Sequence, residues 1–244
     1  MTNEKPKKPI HIVQLYARDM NIYGDDGNVL TVVRRLEQYG YEPVLHQYNP
    51  GDAFPDEVDI ILGGGGQDSG QDKIQKDLHA LSPKLHTLAD EDTPMLMICG
   101  LYQLFGHFFE TIGGERIEGI GLLDITTYGK EERLIGNIHT SSDQFGDLIG
   151  YENHSGQTYL GKRATPLATV ILGAGNNTED SHEGARYRNV IGSYMHGSML
   201  PKNPAVADFL ITQAIKKRYG ETLSVTLDDS LAYHAREIAL KRPR

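Results

Sequence analysis

Short apolar runs alternate with helical periodicity through the first hundred residues. Ile10-His11-Ile12-Val13-Gln14-Leu15-Tyr16 is rich in β-branched and large apolar residues and predicts a first strand. Asn21-Ile22-Tyr23-Gly24-Asp25-Asp26-Gly27-Asn28 follows as a turn cluster ending in helix-capping residues. Val29, Leu30, Val33 and Leu36 then recur at helical spacing, and Gly40 stops that helix. Residues 43–48 predict a second strand, and Val58-Asp59-Ile60-Ile61-Leu62 a third of core type. Ile74, Leu78 and Leu81 predict a short helix, and Pro83 opens another with Leu85, Leu88 and Ala89 on one side. Met95-Leu96-Met97-Ile98, after Pro94, has the pattern of a buried strand, and residues 102–109 return to helical spacing.

Beyond Gly113-Gly114-Glu115 the pattern changes. Residues 120–128, 133–140, 147–151, 168–172 and 189–195 lean towards strands and predict an antiparallel or mixed sheet. Residues 173–184 are polar and read as a loop. Val206, Phe209, Leu210 and Ala214 make 204–219 an amphipathic helix with Pro204 near its start, and 227–244 predicts a weaker C-terminal helix. Strand and helix order in the first half predicts an α/β protein built on a mainly parallel sheet with helices on both faces. Residues 1–9 are polar and lysine-rich and are expected to be a flexible tail, and 10–244 a single domain.

Composition narrows the class. The 244 residues are 39% hydrophobic and 23% charged, which suits one sizeable soluble core. No apolar run approaches the about 18–20 residues that span a bilayer, and the start lacks the apolar stretch of a secretory signal. A formal net charge of −9 argues against a broad nucleic-acid surface. One cysteine excludes an internal disulfide and a multi-cysteine zinc site, and the expected location is the cytoplasm.

That cysteine, Cys99, ends the 95–98 strand and is followed by Gly100 and then a helical pattern. Strand, reactive residue, glycine, helix is the plan of a nucleophile elbow, and a helix N-terminus aimed at the sulfur would favour the thiolate. A buried thiol serving as a small apolar residue is the alternative. Gly63-Gly64-Gly65-Gly66-Gln67-Asp68 follows another strand. It lacks the lysine and hydroxyl of a phosphate loop and matches a dinucleotide fingerprint poorly. An anion-stabilising loop and a plain structural turn remain. His196 ends the 189–195 strand and precedes Gly197, so Cys99, the glycine loop and His196 all fall at carboxyl ends of strands, where open α/β sheets form one crevice. A thiolate needs such a proton shuttle.

The strings IYGDDGN, LGGGGQD, ICGLYQLFG, GYENHSGQTYL and GNNTEDSHEG, with GSYMHG around His196, together resemble class I glutamine amidotransferases of the cobyric acid synthase-like branch. The resemblance implies a flavodoxin-like fold and a glutaminase subunit working as a heterodimer with a Mur-ligase-like partner. Its ammonia would amidate the D-glutamate of lipid II in peptidoglycan biosynthesis. In that scheme Cys99 is the nucleophile and His196 the proton carrier. Backbone N–H groups of Gly64, Gly65 and Gly100 hold the oxyanion. Arg133 takes the α-carboxylate of glutamine, and Asn153 and His154 line the same site. The resemblance implies no metal and no cofactor in this chain, with ATP used by the partner. A γ-glutamyl hydrolase or peptidase on a related fold, or a non-catalytic binding module, are the competing expectations. Three positions depart from the family pattern. Ser198 stands where many class I enzymes have a glutamate, Leu101 where relatives have glycine, and Met97 where many have glycine. If position 101 required a positive φ, leucine there would be strained.

Overall fold

The computed structural model describes residues 6–22, 24–66 and 68–242, with the backbone alone for 68–72. Residues 1–5 of the expected tail, Tyr23, Gln67 and the last two positions of the expected C-terminal helix lie outside the described residues. The chain begins as β1 (Pro9–Leu15), α1 (Asp26–Gln38), β2 (Glu42–Tyr48), β3 (Ile60–Gly63), α2 (Asp68–Asp90), β4 (Met95–Ile98) and α3 (Gly100–Leu104). Strands follow: β5 (Phe108–Glu110), β6 (Arg116–Glu118), β7 (Ile125–Ser142), β8 (Gly146–Leu160), β9 (Ala168–Leu172), β10 (His182–Glu183), β11 (Ala185–Tyr187) and β12 (Val190–Ser193). The chain closes with α4 (Met199–Lys202), α5 (Pro204–Tyr219) and α6 (Ser230–Leu240).

The first sheet has the order β11-β12-β4-β3-β1-β2. All its neighbours are parallel except β11 on β12. β3, β4 and β12 are buried throughout and β1 nearly so, which requires cover on both faces and explains their near-continuous apolar sequences. The chain leaves β1 towards β2 on one side and returns to β3 and β4 on the other, so the strand order reverses beside β1. Crevices in such sheets open at the carboxyl ends next to that reversal.

The second sheet, β10-β9-β7-β5-β6 with β8 on β7, is mostly antiparallel, as the middle of the sequence predicts. Its spine is the β7–β8 hairpin. The ladder runs from Ile125↔Leu160 to Gly129↔Gly156 and resumes at Leu134↔His154. Residues 130–133 therefore bulge from β7 opposite Ser155.

Two helices differ from expectation. The predicted pair around Pro83 is one helix, α2. Ile74, Leu78, Leu85, Leu88 and Ala89 are buried on both sides of the proline, and that shared stripe outweighs the lost rung of about 3 kcal/mol. The predicted helix over 102–109 stops at Leu104. A Cβ on Gly106 would lie 2.6 Å from the Ile125 side chain, and Phe108 and Phe109 are drawn into strand pairing instead. α5 is as predicted and ends at Gly220 with φ +68°. α6 realises the C-terminal helix over Ser230–Leu240 but buries none of its residues.

Candidate active site

Cys99 turns the chain from β4 into α3 with φ +51° and ψ −103°, a conformation costly for a residue with a side chain. The turn is over-determined by hydrogen bonds. Cys99 N–H donates to Ser193 O at 2.9 Å, Gln103 N–H to Cys99 O at 3.0 Å, and Leu101 N–H to Gly64 O at 3.3 Å. The strain sits on the predicted nucleophile and not on Leu101, which is not among the described residues with positive φ. Cys99 is 7% exposed, so the sulfur's segment is buried but not sealed. The helix that follows the cysteine, α3, has five residues and starts directly after it at Gly100.

Gly63 ends β3 and pairs with Met97 of β4. A Cβ at Gly63 would lie 2.4 Å from Leu101 Cδ1 and 2.9 Å from Met97 Sδ. The departures at 97 and 101 thus have a common physical basis, since both large side chains fill space that a glycine at 63 leaves open. The next two glycines serve different ends. A Cβ at Gly64 would meet Met20 O at 2.3 Å and the Asp25 carboxylate at 2.6 Å. Gly65 N–H donates to Asp25 Oδ2 at 2.8 Å, so this donor of the expected oxyanion set is engaged within the protein.

β12 lies parallel to β4 with Ser193 beside Ile98, about 4.8 Å away as neighbouring strands are. Cys99 leaves one residue past Ile98 and His196 three past Ser193, from the same end of adjacent strands. His196 is 1% exposed, and its N–H donates to Tyr151 O on β8 at 2.7 Å. Burial, with His154, Arg133 and Lys202 nearby, pushes its pKa down to about 3. The imidazole is therefore neutral near pH 7, with its second ring nitrogen in the acceptor form. Ser198 Oγ donates to Gly24 O at 2.7 Å, so the residue in the glutamate's place is engaged by the turn cluster.

The β7–β8 hairpin brings the remaining predicted residues together. Arg133, at the end of the bulge, donates from Nε to Asn153 Oδ1 at 2.7 Å. His154 is buried against Tyr194, with ring centroids 3.6 Å apart and planes 5° from parallel. Its Nδ1 lies 2.7 Å from Gly156 O, and burial lowers its pKa to about 4. Outside this group, His11 is also buried and stacks on His46.

Three acids near these segments were not singled out from the sequence. Asp25 is described above. Glu183 is fully buried and its Oε1 accepts Ser193 Oγ–H at 2.7 Å and Tyr194 N–H at 3.0 Å. Ser193 Oγ accepts Met195 N–H at 3.0 Å, so the acid fixes the strand end that leads to His196. Burial, with neighbouring Glu152 adding to it, lifts Glu183 to about 7 against its hydrogen bonds. Glu152 is itself fully buried and accepts the Ala174 and Gly175 N–H groups at 2.9 and 2.8 Å. The predicted polar loop 173–184 is therefore not a solvated connection: Asn176 and Asn177 are fully buried within it. Its one sequence signal is the paired asparagines, which satisfy buried backbone groups at tight turns.

Residues 11–204 match the family model of the CobB/CobQ-like glutamine amidotransferase domain. The lipid II isoglutaminyl synthase (glutamine-hydrolyzing) subunit GatD of Streptococcus pneumoniae is 37% identical over 219 residues, 88% of this chain and 84% of that one. The subunit of the same name from Staphylococcus aureus is 34% identical over 232 residues, 95% of each chain. Among solved structures, a glutamine amidotransferase from Thermotoga maritima is similar in fold with a TM-score of 0.55 at 15% identity, covering 94% of this chain and 93% of that one.

Proposed function

The chain belongs to the CobB/CobQ-like glutamine amidotransferase family, and from that premise we propose that it is the glutamine-hydrolysing subunit of a two-protein lipid II isoglutaminyl synthase. The observation that carries the reading is the strained Cys99 elbow tied by its own N–H to Ser193, three residues before His196. Cys99 attacks the γ-amide carbon of glutamine as thiolate, its proton going to neutral His196. The tetrahedral oxyanion is met by the N–H of Gly100 and by the glycine loop at Gly64, with Gly65 committed to Asp25. Donors of this kind are worth about 2.7–4 kcal/mol each. His196 returns the proton to the leaving nitrogen as the C–N bond breaks, releasing ammonia and leaving a γ-glutamyl thioester. Water, losing a proton to His196, then cleaves the C–S bond and gives glutamate and the thiol.

Arg133 binds the α-carboxylate of glutamine through two parallel N–H bonds, its Nε anchored by Asn153 and the His154 ring behind. Ammonia passes to a Mur-ligase-like partner in a heterodimer. That partner activates the carboxylate of lipid II D-glutamate with ATP, on the cytoplasmic side. The word subunit in both relatives' names supports a partner. Among the described residues no helix is long and apolar enough to cross a membrane. Since Ser198 is turned towards Gly24, the group that orients His196 is a carboxylate from the partner, a water or backbone.

Ammonia release from glutamine, measured with and without the candidate partner, tests the reading. Wild type is expected to release ammonia and Cys99→Ala to release none. Cleavage of γ-glutamyl peptides in preference to glutamine would move the chain to a γ-glutamyl hydrolase or peptidase. No release in either preparation would leave a non-catalytic binding module. Pull-down of an ATP-binding, Mur-ligase-like protein from native cells tests the acceptor, and recovery of a cobalamin-pathway enzyme would refute it.

A further inference from the structure

The turn cluster after β1 takes no part in the chemistry above, yet it touches both loops that do. Towards the glycine loop, Ile22 N–H donates to Gly65 O at 3.1 Å and Gly65 N–H to Asp25 Oδ2 at 2.8 Å, a reciprocal pair. Gly64 is pressed so close to Asp25 and Met20 that a Cβ has no room. Towards the histidine loop, Gly24 O accepts Ser198 Oγ–H at 2.7 Å and Asn28 Oδ1 accepts Leu200 N–H at 2.9 Å. A Cβ on Gly27 would lie 2.1 Å from Ser198 Oγ. The glycine loop follows β3 and the histidine loop follows β12, which flank β4 and its cysteine on either side.

Resting on the glutaminase reading, we infer that Ile22, Gly24, Asp25, Gly27 and Asn28 form a positioning bracket that sets the glycine loop and the histidine loop in one register about Cys99, with Asp25 and Asn28 as its two positioning residues. The chemistry requires such a link. An oxyanion donor and a proton carrier act on the same tetrahedral carbon, and an error of about 1 Å between them costs about a hundredfold in rate. Asp25 has the marks of a residue kept for geometry and not for stability. It is 5% exposed, its Oδ1 has no hydrogen bond, and burial lifts its pKa to about 6, with the Gly65 N–H opposing and Asp26 adding. An ionised carboxylate in that place opposes folding.

Asp25→Asn and Asn28→Ala test the bracket in the full chain with its candidate partner. Hydrogen exchange followed on peptides spanning 64–66 and 197–200 should rise in both loops for either variant. Asp25→Asn should lower kcat for glutamine hydrolysis about tenfold, the worth of one charge-assisted hydrogen bond, with KM within about twofold. Its unfolding midpoint at pH 8 should equal or exceed that of wild type. Alkylation of Cys99 by iodoacetamide, which develops no oxyanion, should stay within about twofold. Exchange that rises only in the loop each residue touches, or an unchanged kcat, overturns the bracket. If wild type releases no ammonia the glutaminase reading fails, and the exchange experiment still decides whether the two loops are coupled.

Discussion

Gly63→Ala is a one-methyl change with a calculable consequence. The residue is not in the left-handed region, so alanine's backbone preferences are no obstacle and the cost is packing alone. The new methyl would sit 2.4 Å from Leu101 Cδ1, 2.9 Å from Met97 Sδ and 3.5 Å from Leu101 Cβ. Two of these are closer than real contacts allow, in a fully buried place, and overpacking of this kind costs about 1–3 kcal/mol. Leu101→Ala alone removes a buried side chain at about 2–5 kcal/mol. In the double variant the methyl enters part of the space that Leu101 vacates, so the loss should fall short of the sum by about 1–2 kcal/mol, within the range for touching residues. Urea unfolding of the four proteins gives the cycle, provided the slope is constant so that midpoints report stability. Ammonia release should follow the same order, since Leu101 N–H binds Gly64 O and any shift of α3 reaches the glycine loop. Additivity within about 0.5 kcal/mol, or a neutral Gly63→Ala, would refute the claim that Gly63 makes room for Leu101 and Met97.

Glu183 makes stability depend on pH. The folded protein holds this proton up to about pH 7, whereas an unfolded glutamate loses it near 4.5. The stabilisation is therefore complete below about pH 4.5 and is lost as pH rises through 7, a decline of roughly 3 kcal/mol. Urea midpoints at pH 5 and 8 should show wild type weaker at the higher pH and Glu183→Gln with a much smaller difference; a parallel decline in both would count against it. Arg133→Ala should raise the KM for glutamine about tenfold or more with a smaller effect on kcat, because it removes a carboxylate clamp and not a group at the reacting carbon. Equal loss in kcat and kcat/KM would place Arg133 in the transition state instead.

The parallel strands were legible because β3, β4 and β12 are buried on both faces and must be apolar at nearly every position. The elbow was legible from strand, cysteine, glycine and helix in that order only with the family resemblance of the flanking residues, because the order alone also suits a buried apolar thiol. Arg133, Asn153 and His154 came from family resemblance, and local pattern could not have joined them: they meet only through a bulge in the register of two long strands. The continuity of α2 was hidden because a proline is a local signal and the stripe that overrides it is a tertiary one. The acids at 25, 152 and 183 were hidden for the same reason. Each is held by backbone N–H groups 40, 22 and 11 residues away, and nothing near them in sequence announces burial.

The serine at 198 and the bracket belong to one problem. In a chain where the residue two past the histidine is a glutamate, that side chain can turn back to the imidazole. Here Ser198, held at φ +52°, points to Gly24, and its Oγ occupies the space a side chain at Gly27 would take. A longer acid at 198 has no place unless the start of α1 moves. That start carries Asp25, which holds the glycine loop. Position 198 therefore serves the coupling between the two loops, and it cannot also serve the imidazole. Of the buried acids, Glu183 holds Ser193 and Tyr194 through its Oε1, and Glu152 holds Ala174 and Gly175. On this view the serine is part of the bracket, because it holds the histidine loop against the turn that leads into α1.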